Sequence, residues 1–395
     1  MNPRLSALQA YPFERLHMLT TTLTPNPDKD LIKLTVGEPK HDPAQVVIET
    51  LRKHAHTAVG RYPSTRGMDA LREQISEWLA CRFKVKVDPD NQVLPVNGTR
   101  EGLFAIAQTM IDTSKPSAQV LLPNPFYQIY EGAALLAGAT PCYLPATAAN
   151  AYLPALDEIP SQTLDACELF YVCTPGNPHG NCCSLEYLKT LINLAQRHNF
   201  TIVSDECYSE VYRRQPPSSL LEACHAMGND EYEHCLVFHS LSKRSNLPGL
   251  RSGFVAGNAE LIGKFLKYRT YHGSAMSELV QLASIGAWAD EAHVNDNRAL
   301  YNAKYESVAR ILAGQLALAI PEGGFYLWLN IDGDSEEFCA GLYRDQHLLA
   351  LPGTYLSREI QGSQPGFDHI RLSLVDTPEV CDEAAKRLSE YLQTV

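Results

Sequence analysis

The stretch Leu236-Val-Phe-His-Ser-Leu-Ser-Lys-Arg-Ser-Asn-Leu-Pro-Gly-Leu-Arg-Ser-Gly-Phe-Val-Ala256 decides how this chain is read. Two apolar runs, Leu236–His239 and Gly253–Ala256, predict buried strands. The polar connection between them holds one lysine, Lys243, behind two hydroxyls, Ser240 and Ser242, with Arg251 further on. A lysine so placed stands at the mouth of a sheet, where α/β folds bind ligands. Hydroxyls, backbone amides and a guanidinium are the donors a phosphate dianion needs. A primary amine beside such a site can condense with an aldehyde carried by the phosphorylated ligand.

Outward from this stretch, Val120–Leu122, Leu169–Cys173 and Thr201–Ser204 also read as buried strands. Amphipathic segments separate several of them. Ser184–His198 is one, with Leu185, Leu188, Leu191, Ile192 and Leu194 at helical spacing. The alternation predicts an α/β fold, a mainly parallel sheet sandwiched by helices. The pattern changes near Asp290. A helical stretch over Asn295–Leu318 precedes strand-like Phe325–Leu329, Leu348–Leu351 and Ile370–Leu374, then a helix from Pro378. We therefore expect an irregular N-terminal arm over 1–30, a large domain over 31–290 and a small α+β domain over 291–395. The arm is expected to pack with the small domain.

Three more strand ends carry polar residues. Thr201-Ile-Val-Ser-Asp-Glu-Cys-Tyr208 offers Asp205, a carboxylate able to pair with a protonated ring nitrogen and keep the ring an electron sink. Tyr208 is placed to hydrogen-bond a phenolic oxygen on such a ring. Thr174-Pro-Gly-Asn-Pro-His-Gly180 offers Asn177 as a neutral donor to the same oxygen. In Asn97-Gly-Thr-Arg-Glu-Gly102 the amides of Gly98, Thr99 and Arg100 would open a helix, a ready anion site.

Composition narrows the classes. A length of 395 residues exceeds what one compact core usually holds. The formal charge of −12 disfavours a nucleic-acid binder, which would normally be basic. No apolar run is long enough to span a membrane, and Met1–Ala10 lacks a signal-type apolar core. The 11 cysteines, an odd number without metal-ligand spacing, read as reduced thiols in a cytoplasmic protein with no metal site.

At these residues the chain resembles the aspartate-aminotransferase-like, fold-type-I enzymes that depend on pyridoxal 5′-phosphate. Asn177-Pro178-x-Gly180, Asp205-x-x-Tyr208, Ser240-x-Ser242-Lys243 and Arg251 match in type and order, and the likeness runs from about Leu34 to the C-terminus. The resemblance implies that Lys243 forms the internal imine and shuttles the substrate Cα proton. It implies that Asp205 pairs with the pyridine nitrogen, that Asn177 and Tyr208 bind the phenolic oxygen, and that Tyr127 stacks on the ring. Thr99, Arg100, Ser240, Ser242 and Arg251 would hold the phosphate. Arg371 would clamp the α-carboxylate, and Gly37 would close its backbone over it. Tyr62 would be lent to the neighbouring subunit's phosphate, which implies a homodimer with shared sites.

The substrates so implied are an amino acid and a 2-oxo acid, with glutamate as donor. Ser240–Phe254 and Arg269-Thr-Tyr-His-Gly-Ser-Ala-Met276 are similar to the N-succinyldiaminopimelate aminotransferases of bacterial lysine biosynthesis. Lys33, Arg61, Arg66 and Arg100 are basic candidates for the distal succinyl group. An aspartate, aromatic or alanine aminotransferase and a C–S β-lyase are the alternatives on the same scaffold. A cofactor-binding transcription regulator is opposed by the negative charge and by a likeness that begins within the first forty residues.

Overall fold

The computed structural model describes residues 1–115, 117–316, 318 and 320–394. Its main sheet has seven strands: β1 (Val93–Val96), β2 (Gln119–Asn124), β3 (Thr140–Pro145), β4 (Cys167–Cys173), β5 (Thr201–Asp205), β6 (Cys235–Ser240) and β7 (Gly253–Gly257). Their spatial order is β1-β7-β6-β5-β4-β2-β3. All neighbours are parallel except β7, which runs antiparallel to both β1 and β6. The expected α/β architecture is present, with helices on both faces of the sheet.

Alternation along each strand feeds two cores. Phe170, Ile202, Val237 and Phe254 point to one face and pack with Leu188, Leu191 and Ile192. Leu169, Tyr171, Val203, Leu236, Phe238 and Val255 point to the other, against Leu103 and Ile106. Each large apolar side chain so buried contributes about 1.5–3 kcal/mol. The helix Leu185–His198 forms where its periodicity predicts. Ser184 Oγ caps it by accepting from the Tyr187 amide, Glu186 occupies the first turn, and Asn199 ends it in the left-handed region.

A second sheet orders Leu351–Pro352, His369–Ser373 and Tyr326–Asn330 antiparallel. It packs with the helices Ala292–Ile311 and Pro378–Leu392 around a core that includes Leu327, Ile370, Leu372 and Leu388. Ile32 and Leu34 join that core, and Ile32–Lys33 pairs with Leu348–Leu349.

The structure differs from the sequence reading at three places. The segment expected to be irregular contains a helix, Pro12–Thr20, started by a proline at its first position. Its Leu16 packs on Leu351, Tyr355 and Leu356. The helix expected over Asn295–Leu318 begins earlier, at Ala292, and ends at Ile311; Ala317 lies outside the described residues. Strands β1 and β3 were not anticipated, because Pro95, Pro141 and Pro145 lie within them. Both are the outer strands of the sheet, where a missing ladder donor is tolerated.

Register brings the polar strand ends to one side. Cys173 is level with Asp205, Asp205 with Phe238, and Ser240 with Gly253. The residues just beyond these ends therefore meet at a common edge.

Candidate active site

A cleft of 510 Å³ opens at that edge. Gly37, Thr99, Arg100, Tyr127, Asn177, Asp205, Tyr208, Ser240, Ser242, Lys243, Arg251 and Arg371 all line it. Gly98 adjoins them as the N-cap of the helix Thr99–Met110. Four of the residues singled out in the sequence lie apart from it: Tyr62, fully exposed at 101%, and three of the basic candidates for a distal group, Lys33, Arg61 and Arg66.

Lys243 rides on a single helical turn, Leu241–Arg244, that continues β6. Asn297 donates its amide to the carbonyls of Lys243 and Arg244, both at 3.2 Å, and so fixes the turn from the helix Ala292–Ile311. The Lys243 ammonium donates to the Gly37 carbonyl and faces the Phe325 ring at 5.3 Å. Burial lowers its pKa to about 8; Arg371 and Arg251 push the same way, against Cys207 and Glu38.

Asp205, at the end of β5, is buried. It accepts from the Tyr130 hydroxyl at 2.7 Å and the Cys207 amide at 3.3 Å. Burial raises its pKa. Among the described residues its direct hydrogen-bond donors are uncharged, so the carboxylate is set up to receive a cationic N–H from the cleft.

Arg371 resolves an ambiguity of the sequence. Its alternation with Ile370 and Leu372 puts it on the opposite face from the core, and that face is the cleft rather than solvent. One guanidinium nitrogen donates to Asn177 Oδ1 at 2.8 Å and another to the Thr35 carbonyl at 2.7 Å. Its Nε is buried and makes no hydrogen bond among the described residues. The Asn177 amide N–H₂ is correspondingly turned away from Arg371. Tyr208 meets the Tyr326 hydroxyl at 2.9 Å.

The anion cradle sits at the opposite end. Gly98, at φ 77°, is in a conformation glycine favours, and a Cβ there would overlap the Arg251 guanidinium. Arg251 donates to the Pro248 carbonyl at 2.9 Å and makes no ion pair among the described residues. Ser240 Oγ caps the Lys243 turn by accepting from the Ser242 amide at 3.1 Å. Thr99 Oγ1 lies 2.9 Å from Cys207 Sγ. Arg100 points elsewhere. Its Nε donates to the Tyr127 hydroxyl at 2.7 Å, and a second nitrogen to the Tyr11 hydroxyl at 3.3 Å. Its side chain thus serves another part of the cleft, while its amide stays at the helix N-terminus.

Sequence reasoning missed Tyr11, Glu38, Cys207 and Tyr326 on the lining, and Tyr130 behind it. Tyr130 was detectable, being three positions after Tyr127 and thus on the same side of the helix Gln128–Ala137. Tyr11 and Tyr326 come from segments whose local pattern says nothing of the cleft. All eleven cysteines are free thiols, and burial pushes that of Cys207 up. Among the described residues no helix is long and apolar enough to cross a membrane.

A family model, aminotransferase class I and II, matches residues 29–388. An LL-diaminopimelate aminotransferase of Dehalococcoides mccartyi is 30% identical over 92% of each chain. One from Aquifex aeolicus is 31% identical over 91% of each. An aminotransferase structure from Neisseria meningitidis superposes with a TM-score of 0.95 at 41% identity, covering 99% of this chain and 100% of the other. Aminotransferase AspB from Helicobacter pylori gives 0.91 at 34% identity, covering 98% and 100%.

Proposed function

Because the chain belongs to the class I and II aminotransferase family, we propose that it works with pyridoxal 5′-phosphate and exchanges an amino group between glutamate and a semialdehyde or oxo acid with an acidic distal end. The acceptor we favour is N-succinyl-2-amino-6-oxopimelate, which makes the enzyme a succinyldiaminopimelate transaminase of lysine biosynthesis.

One observation carries the cofactor reading. A half-buried lysine with a lowered pKa, a buried carboxylate whose hydrogen-bond donors among the described residues are neutral, and a cradle of hydroxyls, amides and Arg251 converge on one cleft. This donor set fits the group. Thr99, Ser240, Ser242, Arg251 and the amides of Gly98, Thr99 and Arg100 would hold its phosphate. Asp205 would hold its ring N–H, Asn177 and Tyr208 its phenolic oxygen, and Tyr127 would cover the ring. When bound, pyridoxal phosphate supplies a sink for the electron pair left by a broken Cα–H bond. Lys243 Nζ takes the Cα proton, and its lowered pKa suits a base working near neutrality. Arg371 grips the α-carboxylate in a two-pronged pair, and Gly37 closes beside it. The donor leaves as its oxo acid before the acceptor enters, so double-reciprocal plots should be parallel.

Arg100 supports the acidic distal end. Its hydrogen-bond partners on the cleft wall are two neutral phenols, Tyr11 and Tyr127, which leaves its charge for a ligand carboxylate. The curated relatives bear the name of unacylated LL-diaminopimelate, whose distal end carries both charges. The deciding measurement supplies N-succinyl-LL-diaminopimelate or LL-diaminopimelate as donor to 2-oxoglutarate and follows glutamate. We expect kcat/KM for the succinylated donor to be higher by at least about 10²-fold, the scale of one desolvated charge contact. Equal rates, or preference for the free amine, would overturn the acceptor assignment. Pyruvate and ammonia released without any acceptor would indicate a β-lyase instead.

Asp205→Asn tests the ring contact. The phosphate cradle is untouched, so cofactor is retained. The glutamate half-reaction should slow by about 10³-fold, because removing one partner of a buried ion pair costs about 3–5 kcal/mol. A homodimer is part of this reading. Tyr62 is fully exposed and Val59 and Tyr271 are largely so, side chains that a second copy would cover.

A further inference from the structure

Tyr326 begins the strand Tyr326–Asn330 and lines the cleft. It touches three residues assigned other tasks. Its hydroxyl lies 2.9 Å from that of Tyr208. Its ring lies under the Arg371 guanidinium, 4.3 Å from centroid to Cζ. A Cβ on Gly37 would overlap its hydroxyl, so the backbone of that loop packs directly on the phenol. The residue is buried, and the Tyr305 hydroxyl donates to its carbonyl, which fixes the backbone from the helix Ala292–Ile311.

A phenol has one proton to donate. On the function proposed above, Tyr208 spends that proton on the phenolic oxygen of the bound cofactor. Tyr208 can then only accept from Tyr326, which gives the 2.9 Å contact a direction. We propose that Tyr326 is a positioning residue whose hydroxyl donates to Tyr208 and so strengthens Tyr208 as a donor to that oxygen. Successive hydroxyls polarise one another, and the effect is largest in a buried site. The ring of Tyr326 does separate work as the platform for Arg371.

Two consequences follow from chemistry. The phenolic oxygen carries most charge when the neighbouring nitrogen, the one joining Lys243 to the cofactor, has lost its proton. A stronger donor to the oxygen favours that loss. Removing the Tyr326 hydroxyl should therefore raise the pH midpoint at which the nitrogen deprotonates. Removing the ring as well should loosen Arg371 and weaken substrate binding.

The test is a spectroscopic pH titration of the holoenzyme, following the cofactor's visible absorbance in the wild type, Tyr326→Phe, Tyr208→Phe and the double variant. We expect Tyr326→Phe to raise the midpoint by about 0.5–1 pH unit, the scale of one modest hydrogen bond. Tyr208→Phe should raise it further. Adding Tyr326→Phe to Tyr208→Phe should then change nothing, because the relay has already lost its middle member. Tyr326→Phe should leave KM for glutamate within about 3-fold, whereas Tyr326→Leu should raise it about 10-fold or more, the scale of a desolvated cation–π contact. An unmoved midpoint in Tyr326→Phe, or a shift of equal size in the Tyr208→Phe background, overturns the relay. A wild-type protein that takes up no cofactor, and so shows no band to titrate, would instead overturn the function on which the relay rests.

Discussion

Replacing Lys243 by methionine should abolish amino transfer while making the cofactor-free chain more stable. The loss should be at least about 10⁴-fold in the glutamate half-reaction. A positioned base alone contributes about 10²–10⁴, and the covalent anchor goes with it. Stopped-flow spectroscopy of the reconstituted variant measures this directly. The gain in stability comes from burial. Lys243 titrates near 8 in the folded chain against 10.5 when unfolded. Its charge is thus disfavoured by folding, at a cost of about 3 kcal/mol by linkage. The sign is that of a base with a depressed pKa. Below pH 8 the whole penalty is present; it fades as pH rises from 8 to 10.5 and is absent above. Methionine removes the penalty and also the hydrogen bond to the Gly37 carbonyl, worth about 1 kcal/mol. Denaturant unfolding of the two apo proteins should show the variant ahead by about 2 kcal/mol at pH 7. The wild type should regain ground steadily up to pH 10.5. A variant less stable than the wild type at pH 7 would contradict a penalised lysine.

Arg371→Ala should lower kcat/KM for amino acids by about 10³-fold and leave amines without a carboxylate almost unaffected. A desolvated two-pronged contact with a carboxylate, once truncated, costs about 3–5 kcal/mol because the carboxylate is left buried and unpaired. Arg371→Lys keeps the charge but lacks the fork, so about 10–100-fold should be lost. The comparison between an amino acid and the corresponding primary amine is the control. Arg371 also holds Asn177 Oδ1 and the Thr35 carbonyl, so general damage would slow both donors. Selective loss of the amino acid identifies the clamp. An equal fall for both would place Arg371 among groups that merely hold the wall together.

Much of this was legible because the chemistry sits just past strand ends. A strand is marked by its apolar run, and the run's end gives the position of the first polar residue. Asp205, Asn177, Ser240 and Lys243 were found in that way, and the structure brings them to one cleft. Arg371 was harder. Period-two alternation told that it left the core but not what it faced, since a sheet's second side is chosen by what packs there. The edge strands went unread for a different reason: Pro95, Pro141 and Pro145 argue against strand locally, and only their outer position reconciles them with the sheet. Tyr11 and Tyr326 were invisible because the chain reaches the cleft there from distant sequence, just before a helix and at the start of a strand whose own patterns report packing alone. Arg100 was placed in the right neighbourhood by its helix N-terminus, yet its side chain turns to Tyr11 and Tyr127. Backbone position was readable there and side-chain direction was not.

The same edge prolines bear on how the protein behaves in quantity. An outer strand with a full row of outward N–H and C=O groups is a template on which another chain can build. Pro95 interrupts that row on one border of the sheet, and Pro141 and Pro145 on the other. Copies that meet at these borders find too few donors to extend the sheet from one molecule into the next. Extension of the sheet from one copy into the next is thereby disfavoured when the protein is concentrated.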